Sequence, residues 1–163
     1  EAIAEIQETE EERRPRVDPE LRVAIEARIP ETWLPDPPLR LRLYREMAGA
    51  ETAEEVYQVL DGAVDRYGRA PVEMRRLTDL MALKLEAARY GFVFVGYNKG
   101  RLTLGVGEHG LLTPEVLTRF LSRPGNRYRL TPEMKLVRTV SSAEWDRGLD
   151  TLRDALREIG NFL

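Results

Sequence analysis

The sequence predicts an α+β fold in which helices lead and short antiparallel strands follow. Three observations predict it. From Leu39 to Ala88 the apolar residues recur at three- and four-residue spacing, the period of helices with one buried face. After Gly91 the period drops to two, and Phe92 to Tyr97 and Arg101 to Val106 flank Asn98-Lys99-Gly100, a hairpin pattern. A last helical stripe, Trp145, Leu149, Leu152, Leu156 and Ile159, closes the chain.

Taken in order, residues 1–16 are mostly charged and offer only Ile3 and Ile6 for packing, so they suggest a solvated linker or the end of a preceding helix. The absence of an initiator Met suggests a fragment of a longer polypeptide. Residues 17–163 suit one domain. Near 21–29, Leu21, Val23, Ile25, Ala27 and Ile29 alternate with Arg22, Ala24, Glu26 and Arg28, which predicts a half-buried strand. Pro30, Pro35, Pro37 and Pro38 then favour an extended segment. A helix runs from Leu39 to Ala48, with Leu39, Leu43, Tyr44 and Met47 inward and Gly49 as its stop. Thr52 to Glu55 form a capping box for a second helix, whose stripe is Val56, Val59, Leu60, Ala63, Val64 and Tyr67. Gly68 suits its C-terminal turn. Pro71 can open a third helix to about Tyr90, with Leu77, Leu80, Met81, Leu85 and Ala88 inward. Beyond the hairpin near 92–106, Thr113 starts a short helix to about Leu121, and a second strand pair lies near 127–140. Ser141 to Glu144 is another capping box, opening the last of about five helices.

Charged residues make up 33 % of the chain at a net charge of −3, a balance that argues against the domain itself being a nucleic-acid binder. There is no cysteine, hence no disulfide and no thiolate metal site, which suits a reducing, cytoplasmic setting. No apolar run approaches the ~20 residues of a membrane span, and no signal peptide is visible. His109, the single histidine, sits between glycines and suits a loop. Gly105, Gly107 and Gly110 spell G-x-G-x-x-G, but the strand–turn–helix context of a dinucleotide site is missing. No HExxH or Walker sequence occurs, so no catalytic, cofactor-binding or metal-binding residue is expected. Gly91 to Tyr97 approaches an RNA-recognition core, yet Tyr90 stands where Lys or Arg belongs. A hairpin using Phe92 and Phe94 to fill a core is the simpler reading. A nucleic-acid-binding accessory domain built on the 92–101 hairpin is the alternative.

One surface pattern stands out. On the second helix Glu54, Gln58, Asp61 and Asp65 share the face opposite the apolar stripe. They fit either ordinary solvation or an acidic docking strip, in which charge supplies steering and register. Arg66 and Tyr67 could add an interface anchor, although Tyr67 also fits the core. The candidate partner-binding residues are Glu54, Asp61, Asp65 and Arg66.

Arg28-Ile29-Pro30, Leu34-Pro35-Asp36, Arg42-Leu43-Tyr44-Arg45, Asp65-Arg66-Tyr67-Gly68 with Pro71, Tyr90-Gly91-Phe92, Tyr128-Arg129-Leu130 and the Trp145 helix, in this order, resemble the C-terminal domain of the bacterial transcription-repair coupling factor. The resemblance covers roughly residues 17–160, and Glu1 to Gln7 look like the end of the helix leaving the family's motor domains. It implies a parent ATP-driven DNA translocase that displaces RNA polymerase stalled at a lesion and recruits excision repair through UvrA. This domain would be its non-catalytic regulatory part. It would pack on the N-terminal UvrB-like module of the same polypeptide, mask the UvrA-binding surface and restrain the motor. It would need no cofactor, membrane or direct nucleic-acid contact, and in isolation would be a monomer. Asp65 matches one of the family's two carboxylate contacts. Where the other is expected, three residues earlier, stands Gly62, with Asp61 adjacent as a substitute.

Overall fold

A computed structural model describes residues 17–163. The expectations for residues 1–16 lie outside the described residues. In chain order the elements are β1 (Glu20–Val23), α1 (Pro37–Ala48), α2 (Ala53–Tyr67), α3 (Val72–Tyr90), β2 (Phe92–Asn98), β3 (Arg101–Val106), α4 (Pro114–Leu121), β4 (Arg129–Leu130), β5 (Lys135–Thr139), α5 (Ser142–Asp146) and α6 (Leu149–Phe162). The fold is α+β, as the sequence predicts. The strands form one five-stranded sheet in the order β1-β2-β3-β5-β4, antiparallel except that β1 runs parallel to β2.

The sheet pairs Leu21 with Val95 and Val23 with Tyr97, and β1 stops at Val23 rather than continuing to residue 29. Burial nevertheless alternates all the way to Ile29. The Ala24 N–H still donates to Tyr97 O (2.8 Å), but the Arg28 N–H donates to Glu73 O at the start of α3 (3.2 Å). The segment peels off the sheet and crosses to the helices, so a period-2 pattern persists without a ladder. It also joins two cores. Leu21, Val23, Ile25 and Ala27 pack against the sheet-side core, while Ile29 packs against the helical one.

The sheet-side core buries Phe92, Tyr97 and Leu104 from the strands against Leu152, Leu156 and Ile159 of α6. The helical core gathers Leu43, Met47, Val56, Ala63 and Met74. α3 serves both: Leu80, Leu83 and Ala87 face the sheet side, Met74 and Met81 the helical side. The single inward stripe expected for this helix is therefore two stripes, because it is walled on two sides.

Four further expectations are corrected. Pro37 and Pro38 do not extend the chain; they occupy the first turn of α1 after Asp36, where a missing N–H costs nothing. Tyr44 is not core: it is 46 % exposed, one turn from Leu41 at 49 %. The last helix is two, because Gly148 (φ +59) breaks the chain between α5 and α6, giving six helices among the described residues. Phe92 and Phe94 do not share a face. An irregularity between them shifts the register of β2 against β3, so Phe92, Val95 and Tyr97 point into the core and Phe94 points away.

Candidate functional site: the acidic face of the second helix

α2 is well specified locally. The Thr52 hydroxyl accepts the Glu55 N–H (3.1 Å), as expected of a capping box. The Glu55 carboxylate accepts the N–H of Glu51 (2.7 Å), one residue earlier than the motif requires. The Gly68 N–H donates to Val64 O and closes the helix at φ +91. Val56 and Ala63 are buried, with Val59, Leu60, Val64 and Tyr67 packed around them. This buried stripe fixes the rotation of α2, and the opposite face follows from helical geometry.

Glu54, Gln58, Asp61 and Asp65 are all exposed. Several carboxylates elsewhere among the described residues are paired, Asp79 with Arg153, Asp154 with Arg147 and Glu158 with Arg123 among them. Glu54, Asp61 and Asp65 have no ion pair or side-chain hydrogen bond among the described residues, so their charge faces solvent without local compensation. Gly62 lies beside them, and a Cβ built there would meet nothing within 4 Å.

Arg66 is exposed but folds back along its own helix. Its Nε donates to Gly62 O (3.2 Å), and its guanidinium lies 5.5 Å from the centre of the Tyr67 ring. Tyr67 is half-buried and meets the edge of Trp33 at 5.9 Å, while the Trp33 indole N–H donates to Gly68 O (3.3 Å). The proline segment thus clasps the C-terminal end of α2. Arg66 and Tyr67 are brought together there, and Arg66 lies over the residue beside Asp61.

Sequence reasoning missed a polar junction behind α2. The Tyr57 hydroxyl donates to Asp79 on α3 (2.6 Å), and Asp79 lies 3.5 Å from Arg153 on α6. Burial and the adjacent carboxylate push the Tyr57 phenol up to about 12, so it stays a donor. These groups line an open cleft of about 1070 Å³ between α2, α3 and α6. The signal was invisible because Tyr57, Asp79 and Arg153 lie far apart in sequence. His109 is exposed at the rim of the same cleft.

Among the described residues no group of three or more His, Cys, Asp or Glu could hold a metal ion, and no helix is long and apolar enough to cross a membrane. The G-x-G-x-x-G glycines have a packing role. A Cβ at Gly107 would lie 2.6 Å from Gly91 O, and one at Gly110 would lie 2.7 Å from Tyr90 O. They let the segment after β3 cross the turn between α3 and β2 backbone to backbone, with the Gly107 N–H donating to Gly91 O (3.0 Å).

The arrangement defines an α+β domain of known architecture: it superposes on the crystal structure of a C-terminal domain of transcription-repair coupling factor with a TM-score of 0.69, over 90 % of this chain and 96 % of that one, at 19 % identity. The chain belongs to the TRCF domain family, whose model matches residues 23–117, more than half of its length. The transcription-repair-coupling factor of Myxococcus xanthus is 28 % identical over 162 residues, 99 % of this chain. That of Escherichia coli is 24 % identical over 140 residues, 86 % of this chain. The chain spans 13 % and 12 % of the lengths of these two relatives.

Proposed function

We propose that this chain is the regulatory interaction domain of a transcription-repair coupling factor and docks through the acidic face of α2. The observation that carries the reading is the set of three uncompensated carboxylates, Glu54, Asp61 and Asp65, on a helix whose rotation the core fixes. Its partner is the UvrB-like N-terminal module of the same polypeptide. Docking there masks the UvrA-binding surface and restrains an ATP-driven DNA translocase that displaces stalled RNA polymerase. Residues 17–163 act as one non-catalytic domain in the cytoplasm, a monomer when isolated. Arg66, held over Gly62, lends the rim of the contact a cation. Asp61 supplies the charge that Gly62 lacks, one residue along the same exposed turn.

The test uses the full-length protein carrying Asp61→Arg and Asp65→Arg. Basal ATPase and UvrA binding both rise above wild type if the strip is the clamp. Wild-type levels of both would remove it. Binding of the isolated chain to the N-terminal module weakens as salt rises, since exposed charge contacts are screened.

A further inference from the structure

We infer that the face of the sheet turned away from the helices is a binding platform for single-stranded nucleic acid, on a surface separate from the acidic face of α2. Residues paired directly across a sheet point to the same side. Register places Glu20, Phe94, Gly105 and Lys135 in one row, and Thr103, Val137 and Arg129 in the next. Arg101 lies on the same side of β3, two residues before Thr103. Residues of opposite parity, such as Tyr97, Leu102 and Leu136, belong to the core.

This face is cationic on a chain of net negative charge. Arg101 and Arg129 are exposed and Lys135 is half-buried, and none has a carboxylate partner among the described residues. The one carboxylate in these paired rows, Glu20, is held by Arg22 (2.9 Å). The segregation answers the compositional argument against nucleic acid, because a net charge of −3 is a sum over surfaces and a polyanion meets one surface at a time.

The face also carries a flat ring. Phe94 lies across two glycines: a Cβ at Gly96 would meet its Cε1 at 2.8 Å, and one at Gly105 would meet its Cβ at 2.8 Å. The ammonium of Lys135 sits 4.8 Å from the ring centre. An aromatic plane on a face that also carries cations for the phosphates is the pattern single-strand binders use. An acidic peptide would pair with the same cations, but it would give the Phe94 ring no base to stack on, and the ring is what favours a nucleic acid here.

The experiment measures fluorescence anisotropy of a labelled oligo-dT with the 163-residue chain at rising salt, beside a duplex and a poly-glutamate peptide of matched length. The expected result is a preference for oligo-dT, with log affinity falling against log salt at a slope of about −2, as for three phosphates neutralised on a single strand. Arg101→Glu with Arg129→Glu, both exposed and without carboxylate partners, lowers affinity at least about tenfold and flattens that slope. Phe94→Leu keeps the charges and lowers affinity by roughly fivefold or more. An unchanged melting temperature of the arginine variant shows the fold is kept. No binding to oligo-dT at low salt, indifference to the charge reversal, or equal or tighter binding of poly-glutamate each overturns the inference. None of these outcomes bears on the acidic strip, whose test reads ATPase and UvrA binding.

Discussion

The sheet side and the helical side of the molecule bury their apolar residues differently. On the sheet side large side chains are fully enclosed, and aromatic rings meet in pairs: Tyr97 with Trp145 at 5.0 Å, Phe120 with Tyr128 and with Phe162 at 5.3 Å. On the helical side the core is smaller and relies on Met47 and Met74, while Leu41 and Tyr44 remain outside it. The polar reinforcement is also uneven. Glu144 accepts from Arg127 (2.6 Å) and Arg138 (2.8 Å) while completing the capping box of α5 with Ser141. α2 is braced by the neutral Tyr57 hydroxyl on Asp79 instead, and its carboxylates Glu54, Asp61 and Asp65 face solvent. The sheet side holds the larger core, and the helical side leaves the carboxylates Glu54, Asp61 and Asp65 of α2 in solvent.

The comparison can be broken most directly in the sheet-side core. Leu152, fully buried, loses about 2–5 kcal/mol of stability as Leu152→Ala, read as the shift of a urea midpoint. The two tryptophans report separately, Trp33 packing on the helical core and Trp145 on the sheet core. Because α3 belongs to both cores, one transition is expected at both reporters. Two separated midpoints would make the sides independent units.

Next comes Gly91→Ala. Gly91 has φ +89, and a Cβ there would meet Gly110 Cα at 2.2 Å, so a loss of about 1–3 kcal/mol follows from strain alone. Thermal melting of the variant checks it, and an unchanged midpoint would mean that the crossing of the two backbones gives way freely.

Glu144 tests the electrostatic half of the contrast. Hydrogen bonding from Arg127, with the Ser141 N–H and Arg138, holds its carboxyl down at about 2, below the usual carboxylate range. A depressed folded pKa stabilises above the unfolded value, about 4.3, and that stability is lost as pH falls towards 2. Glu144→Gln costs about 1–2 kcal/mol at neutral pH once solvent screening of the half-exposed Arg127 is allowed for. The gap from wild type narrows as pH drops from about 4 towards 2, measured by urea midpoints across that window.

The smallest effect has the opposite sign. Gly62→Ala places a methyl group in open space inside α2 and stabilises by about 0.5–1 kcal/mol. A loss of stability would show that Arg66, folded over Gly62 O, needs the missing side chain.

Much of this was legible in the sequence, and the misses have physical causes. The hairpin, the caps at Thr52, Thr113 and Ser141, and the faces of α2 are local properties, set by spacing within one element. The acidic face was legible for the same reason, since a buried stripe dictates what lies opposite. Tyr44 lies outside the core although it falls on the stripe, because helical period cannot say how wide the neighbour's covering is. Phe94 leaves the core face that Phe92 keeps because one irregularity at the start of β2 reverses parity along the strand. The alternation over 21–29 holds for burial, but the ladder ends at Val23, because alternation records burial and not who supplies the hydrogen bonds.

By itself the sequence determined the α+β class, most of the element boundaries and the solvated acidic face of α2, all consequences of interactions within about four residues. Only the tertiary structure decided that α3 is walled on both sides, that Tyr57, Asp79 and Arg153 meet, and that Arg101, Arg129 and Lys135 share one face with Phe94. Those groupings depend on strand order and register between distant segments, and no periodicity along a single chain encodes which strand will lie beside which.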